Sequence, residues 1–129
     1  MLERILGAKA FLTAQAALDG TAARHAAIAN NIANVNTPGF KRSDVPFEQC
    51  LSKVVRDRLD REPGDVSRIA EPFTPPVVRD AATSNRLDGN NVDLEREMAM
   101  MAENTLRYET LGLYVSRFFN GLKTVINSR

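Results

Sequence analysis

Near the C-terminal end, Leu94, Met98, Met101, Thr105, Tyr108, Gly112, Val115, Phe119, Leu122 and Ile126 alternate at spacings of four and three. That is the a/d repeat of a coiled-coil seam, and it predicts one helix over residues 93–127. Leu111, Phe118 and Val125 widen the stripe in its last half, so that end is expected to touch more than one neighbour. Asp93, Glu95 and Glu97 suit a helix N-terminus, with Asn91 or Asp93 as the cap. At 1.5 Å per residue such a helix runs about 50 Å, so its apolar stripe needs a long partner.

A second helical pattern supplies that partner from about Ala8 to Val35. Phe11, Leu18, Ala22, His25, Ala29 and Ile32 recur mostly at helical spacing. Eleven alanines between Ala8 and Ala33 give strong helix propensity and thin faces that let other helices approach closely. Each alanine buries little area, so this helix gains little from a single partner. Gly20 disfavours the helix by about 1 kcal/mol relative to alanine, which predicts a bend or a tight contact there.

Four asparagines (Asn30, Asn31, Asn34 and Asn36) close this pattern, followed by Thr37-Pro38-Gly39-Phe40. Asparagine is a poor helix-interior residue that caps and ends helices. Pro38-Gly39 fits the two central positions of a type II turn, where proline pre-sets φ and glycine accepts a positive φ. Asn31 and Asn34, one turn apart, are read as making amide bonds to neighbouring backbones, against the alternative of local capping at a fraying end. Buried polar residues in helix seams fix register at some expense of stability.

Residues 43–90 hold nine acids, seven bases and five of the six prolines. Phe47, Leu51, Val54, Val55 and Leu59 support a short amphipathic helix within Asp44 to Arg61. From Glu62 to Asn91 the prolines argue for extended chain or loop, with Val77-Val78 as a brief strand. The segments 1–42, 43–90 and 91–129 therefore differ in character while forming one structural unit. The predicted fold is mainly α: two long terminal helices in an antiparallel coiled-coil-like pair, with a short helix and a loop-rich middle.

Composition excludes several classes of function. The net charge is +1, from 17 basic and 16 acidic residues, so no global field favours nucleic acid or an anionic membrane. No stretch approaches the ~20 apolar residues needed to span a bilayer. Glu3 and Lys9 interrupt what a cleavable signal peptide would need, so none is expected. Cys50 is alone, and His25 is the only histidine and sits on a seam position. Neither has an orienting motif around it, so a packed interface histidine and a small helix residue are the preferred readings. Asp88-Gly89-Asn90-Asn91-Val92-Asp93 invites a calcium-loop reading, but the EF-hand register places Val92, Asp93 and Ala99 where a ligand, a glycine and a glutamate belong. A turn with a helix cap explains the same letters. Asp57, Asp60, Glu62 and Asp65 are interleaved with arginines and read as a solvated mixed-charge face. No catalytic residue, cofactor or metal site is expected.

Asn31-Ile32-Ala33-Asn34-Val35-Asn36-Thr37 with Pro38-Gly39-Phe40-Lys41 resembles the N-terminal signature of the bacterial flagellar rod and hook family. Asp88-Gly89-Asn90-Asn91-Val92-Asp93-Leu94-Glu95-Arg96-Glu97-Met98 resembles the opening of that family's C-terminal helix. The short length, without a long central insertion, is similar to the proximal rod type. Phe40 stands where tyrosine is common in the family, and Ala22 where a larger aliphatic is usual. The resemblance implies a non-enzymatic subunit of the flagellar basal body, exported by the flagellum's own type III apparatus and lodged in the periplasmic rod. It implies other copies, other rod proteins, a small rod-to-membrane-ring adaptor and the export apparatus as partners.

The expected mechanism is polymerisation, with the seams pairing inside one subunit and then packing against neighbours. The expected assembly surface comprises Leu18, Ala22, His25, Ala29, Asn31, Ile32, Asn34, Pro38, Gly39 and Phe40 at the front. At the back it comprises Leu94, Met98, Met101, Tyr108, Val115, Phe118, Phe119, Leu122 and Ile126. The reading from a different class is a soluble helical adaptor or export-chaperone-like module that uses the C-terminal seam for one partner helix.

Overall fold

A computed structural model describes residues 2–59, 73–81 and 86–127, with backbone alone for residues 2–9, 58 and 59. Its elements are α1 (Leu2–Ala33), β1 (Ser43–Asp44), α2 (Phe47–Leu59), β2 (Val78–Arg79) and α3 (Leu94–Asn127). The two long helices pack along each other antiparallel, as the paired positions show. Phe11 stacks on Phe118 near one end, Thr21 meets Asn104 in the middle, and Asn31 meets Glu97 at the other end.

Helix ends follow their caps. Asp93 Oδ1 accepts the Glu95 and Arg96 N–H groups at 3.0 and 3.2 Å, so Asp93 rather than Asn91 opens α3. α1 begins six residues before the predicted start and stops at Ala33, two before the predicted end. α2 lies inside the predicted Asp44–Arg61 span, beginning only after Pro46. The short strand predicted at Val77-Val78 is placed one residue later, and it has a partner that the sequence did not reveal. Ser43 pairs with Arg79 and Asp44 with Val78, antiparallel. Most of the predicted 62–91 loop, with Pro63 and Pro72, lies outside the described residues.

Gly20 marks a tight contact. A Cβ there would lie 3.0 Å from the Phe47 ring, so the bare α1 backbone is what lets α2 sit down on it. Arg107 of α3 holds α2 from the other side: its guanidinium lies 5.7 Å over the Phe47 ring and bonds Glu48 at 2.8 Å.

The inward face of the helix pair is not the predicted one. On α3 the residues turned toward α1 are Glu97, Asn104, Leu111 and Phe118, seven apart and each one residue before a predicted seam position. On α1 they are Ala14, Ala17, Thr21, Ile28 and Asn31, offset by one in the same way. The intramolecular seam is small and polar, and the strong apolar repeat lies beside it.

Candidate assembly surface

The two stretches singled out in the sequence are bonded to each other. The Pro38-Gly39 turn forms as expected: Gly39 has φ +71°, and the Phe40 N–H donates to the Thr37 carbonyl at 3.3 Å. The Gly39 N–H then donates to the Asp88 carbonyl at 2.8 Å. Asn90, fully buried, donates through Nδ2 to the carbonyls of Asn34, Val35 and Thr37 at 2.9–3.0 Å. A side chain more than fifty positions away thus satisfies the orphan carbonyls at the end of α1. Asn91 continues the lock, accepting the Arg42 N–H at 2.7 Å and donating to the Asp80 carbonyl at 3.1 Å.

Below the turn lies a buried ionic cluster. Arg42 Nε donates to Glu97 Oε1 at 2.8 Å, and Asn31 Nδ2 donates to Glu97 Oε2 at 3.0 Å. Glu97 and Asn31 are both 0% exposed. The Asn31 amide also pairs with the Ser43 backbone, donating to its carbonyl at 2.7 Å and accepting its N–H at 2.9 Å. It thereby acts as an extra strand residue. Burial disfavours the charged guanidinium of Arg42, but Glu97, Asp80 and Asp44 outweigh it and hold Arg42 above its ordinary value. A buried charge pair of this kind is held by its partners, and it positions the turn, β1 and α3 as one piece.

Of the front residues in the expected surface, Asn31 spends its amide inside the molecule, and Asn34 caps locally by donating to the Asn30 carbonyl at 2.8 Å. Leu18, Ile32 and Phe40 are half-buried, and Ala22, His25, Ala29, Pro38 and Gly39 are exposed. At the back, Met101, Val115 and Phe118 are half-buried, whereas Leu94, Met98, Tyr108, Phe119, Leu122 and Ile126 are exposed. Phe119 is 52% exposed even though its ring meets Phe11 edge-on at 5.3 Å. Ile126 is 74% exposed.

These exposed positions lie on one side of the helix pair. A groove of about 370 Å³ runs along it, with Thr21 and Asn104 on the seam and Ala22, His25, Thr105 and Tyr108 as walls. In antiparallel helices, positions one residue after each inward position turn to the same side, which is why two separate sequence stripes meet in one face. A second groove, lined by Ala17, Phe47, Leu51, Leu106 and Arg107 among others, opens on the opposite side, where α2 lies.

Sequence reasoning missed Arg42, Asn90, Glu97 and Asn104. Their signal was available for the last two: a charge and an amide seven residues apart, at a heptad position flanked by apolar residues, is costly unless both are bonded. No helix among the described residues is long and apolar enough to cross a membrane.

Comparison with known proteins gives a consistent picture. The family model "Flagella basal body rod protein" matches residues 11–41. The flagellar basal body rod protein FlgB of Bacillus subtilis is 35% identical over 77% of this chain and 78% of its own length. FlgB of Escherichia coli is 31% identical over 99% of both chains. FlgB of Salmonella typhimurium is 37% identical over 89% of this chain and 88% of its own.

Proposed function

Because the chain belongs to the FlgB family of flagellar basal body rod proteins, we propose that it builds the proximal rod by polymerising through its terminal helices. The family is structural, and the chain is not an enzyme. The observation that carries the reading is the apolar face made by Leu94, Met98, Tyr108, Phe119, Leu122 and Ile126, all exposed in the single chain. Contiguous apolar patches of this kind mark interaction surfaces. Covering each of these side chains contributes about 1.5–3 kcal/mol, and stacked copies or other rod proteins supply the cover.

The expected assembly residues are proposed in two roles. The exposed ones, with Ala22, His25 and Ala29, meet neighbours. Asn31, Asn34 and the Pro38-Gly39-Phe40 turn shape the subunit that presents them. Segments 1–42, 43–90 and 91–129 act as one structural unit, because the first and last are locked together by Asn90, Arg42 and Glu97. Two long helices tied at one end by that cluster form a stiff strut, suited to transmitting torque along a shaft. The remaining partners we propose are the rod-to-ring adaptor and the flagellar export apparatus, which would deliver the chain to the periplasmic rod.

Deleting the gene and imaging basal bodies by electron microscopy tests this reading. Membrane rings without a rod are expected; intact flagella would instead favour a dispensable helical adaptor.

A further inference from the structure

The groove over Thr21 and Asn104 contains an unsatisfied atom. Asn104 is 2% exposed and its Nδ2 donates to the Thr21 carbonyl at 2.9 Å. Among the described residues its Oδ1 has no hydrogen-bond partner. An amide oxygen out of contact with water is costly unless a donor reaches it. The occupant of this groove must therefore bring a neutral donor. It must also be slim enough to come close, because the groove is walled by Ala22 and Thr105.

The chain itself carries a face with those properties. Ala26, Asn30 and Ala33 are exposed along the outer side of α1, flanked by Ala22 and Ala29, and no Asp, Glu, Lys or Arg is exposed on α1 between residues 22 and 33. The exposed faces of α2 and α3 carry Glu48, Lys53 and Arg56, and Glu95, Arg96 and Glu109. The amide of Asn30 is complementary to that of Asn104. Its Oδ1 is occupied by Asn34 Nδ2 at 2.9 Å, which leaves its Nδ2 as the donor. One amide offers an acceptor and the other a donor, and both are neutral.

We propose that the outer face of α1 in a second copy of this chain docks into this groove, with its Asn30 Nδ2 donating to Asn104 Oδ1. The contact is head-to-tail: groove and outer α1 face are different surfaces, so each copy can receive one neighbour and engage another, as a shaft requires. The inference rests on the rod-subunit reading and specifies which surfaces meet.

The test uses cells producing two forms of the full chain, both with Cys50→Ser, one with Ala26→Cys and the other with Thr105→Cys. Basal bodies are isolated and treated with a short thiol cross-linker. A cross-linked dimer is expected from the mixture, and none when Glu109→Cys replaces Thr105→Cys. Adding Asn30→Ala to the Ala26→Cys chain lowers the cross-linked fraction about three- to tenfold, as loss of one hydrogen bond would. Rods that form without the dimer, or that cross-link equally through Glu109→Cys or after Asn30→Ala, overturn the inference. If the cysteine chains do not enter rods, the same cross-link is read on the purified full chain at high concentration, where its absence overturns the inference too. Cells that build rods without the chain overturn the rod-subunit reading instead, so the two failures are distinguishable.

Discussion

At the scale of single residues, the most consequential group is Glu97. It has no access to solvent, and Arg42 and Asn31 are its donors. Arg42→Ala leaves this carboxylate without a cation in a place water does not reach. The expected loss is about 3–5 kcal/mol, read as a lower urea midpoint. Arg42→Lys recovers only part of it, because one ammonium cannot replace a fork that reaches Glu97, Asp80 and Asp44 at once. A variant as stable as the parent would show that the cluster is not what joins the turn to α3. None of this was legible locally: Arg42 and Glu97 are 55 positions apart, and nothing near either residue names the other.

At the scale of elements, the long helices were legible because periodicity, alanine content and the Asp93 cap all point the same way. Asp93→Ala is expected to lower stability by about 1 kcal/mol, whereas Asn91→Ala acts through the lost bonds to Arg42 and Asp80. Comparing thermal midpoints of the two variants with helicity near residue 94 separates cap from lock. The two-residue strands were not legible, because ladders that short are set by what the chain packs against. The contact of α2 with α3 has a pH signature. The hydrogen bond from Arg107, then one from the chain's own backbone, hold Glu48 below its ordinary 4.5. A depressed carboxylate contributes stability above its unfolded value and loses it as pH falls through the folded one. Glu48→Gln should therefore be slightly less stable than the parent at neutral pH, by under about 1 kcal/mol for so exposed a pair. The two should converge as the pH drops below 4.5. Parallel melting curves across that range would remove the ion pair from the account.

At the scale of the whole molecule, the chain puts its polar residues where two of its own helices meet and its apolar repeat on the outside. Thr21, Asn31, Glu97 and Asn104 lie on the internal seam, while Leu94, Met98, Phe119, Leu122 and Ile126 face outward. Hydrophobic periodicity therefore located the surface left for neighbours and misplaced the intramolecular seam by one residue on each helix. The pattern records which face is to be buried, without saying which chain does the burying. Replacing Leu122 and Ile126 with glutamate should change the thermal midpoint of the dilute monomer little, within about 0.5 kcal/mol in stability, and abolish rod assembly. The most direct measurement is an electron cryomicroscopy map of the rod containing this chain. The account predicts that Leu94, Met98, Tyr108, Phe119, Leu122 and Ile126 are covered by neighbouring subunits. A map in which those residues face open solvent, with subunits joined only through the side that carries α2, would contradict it.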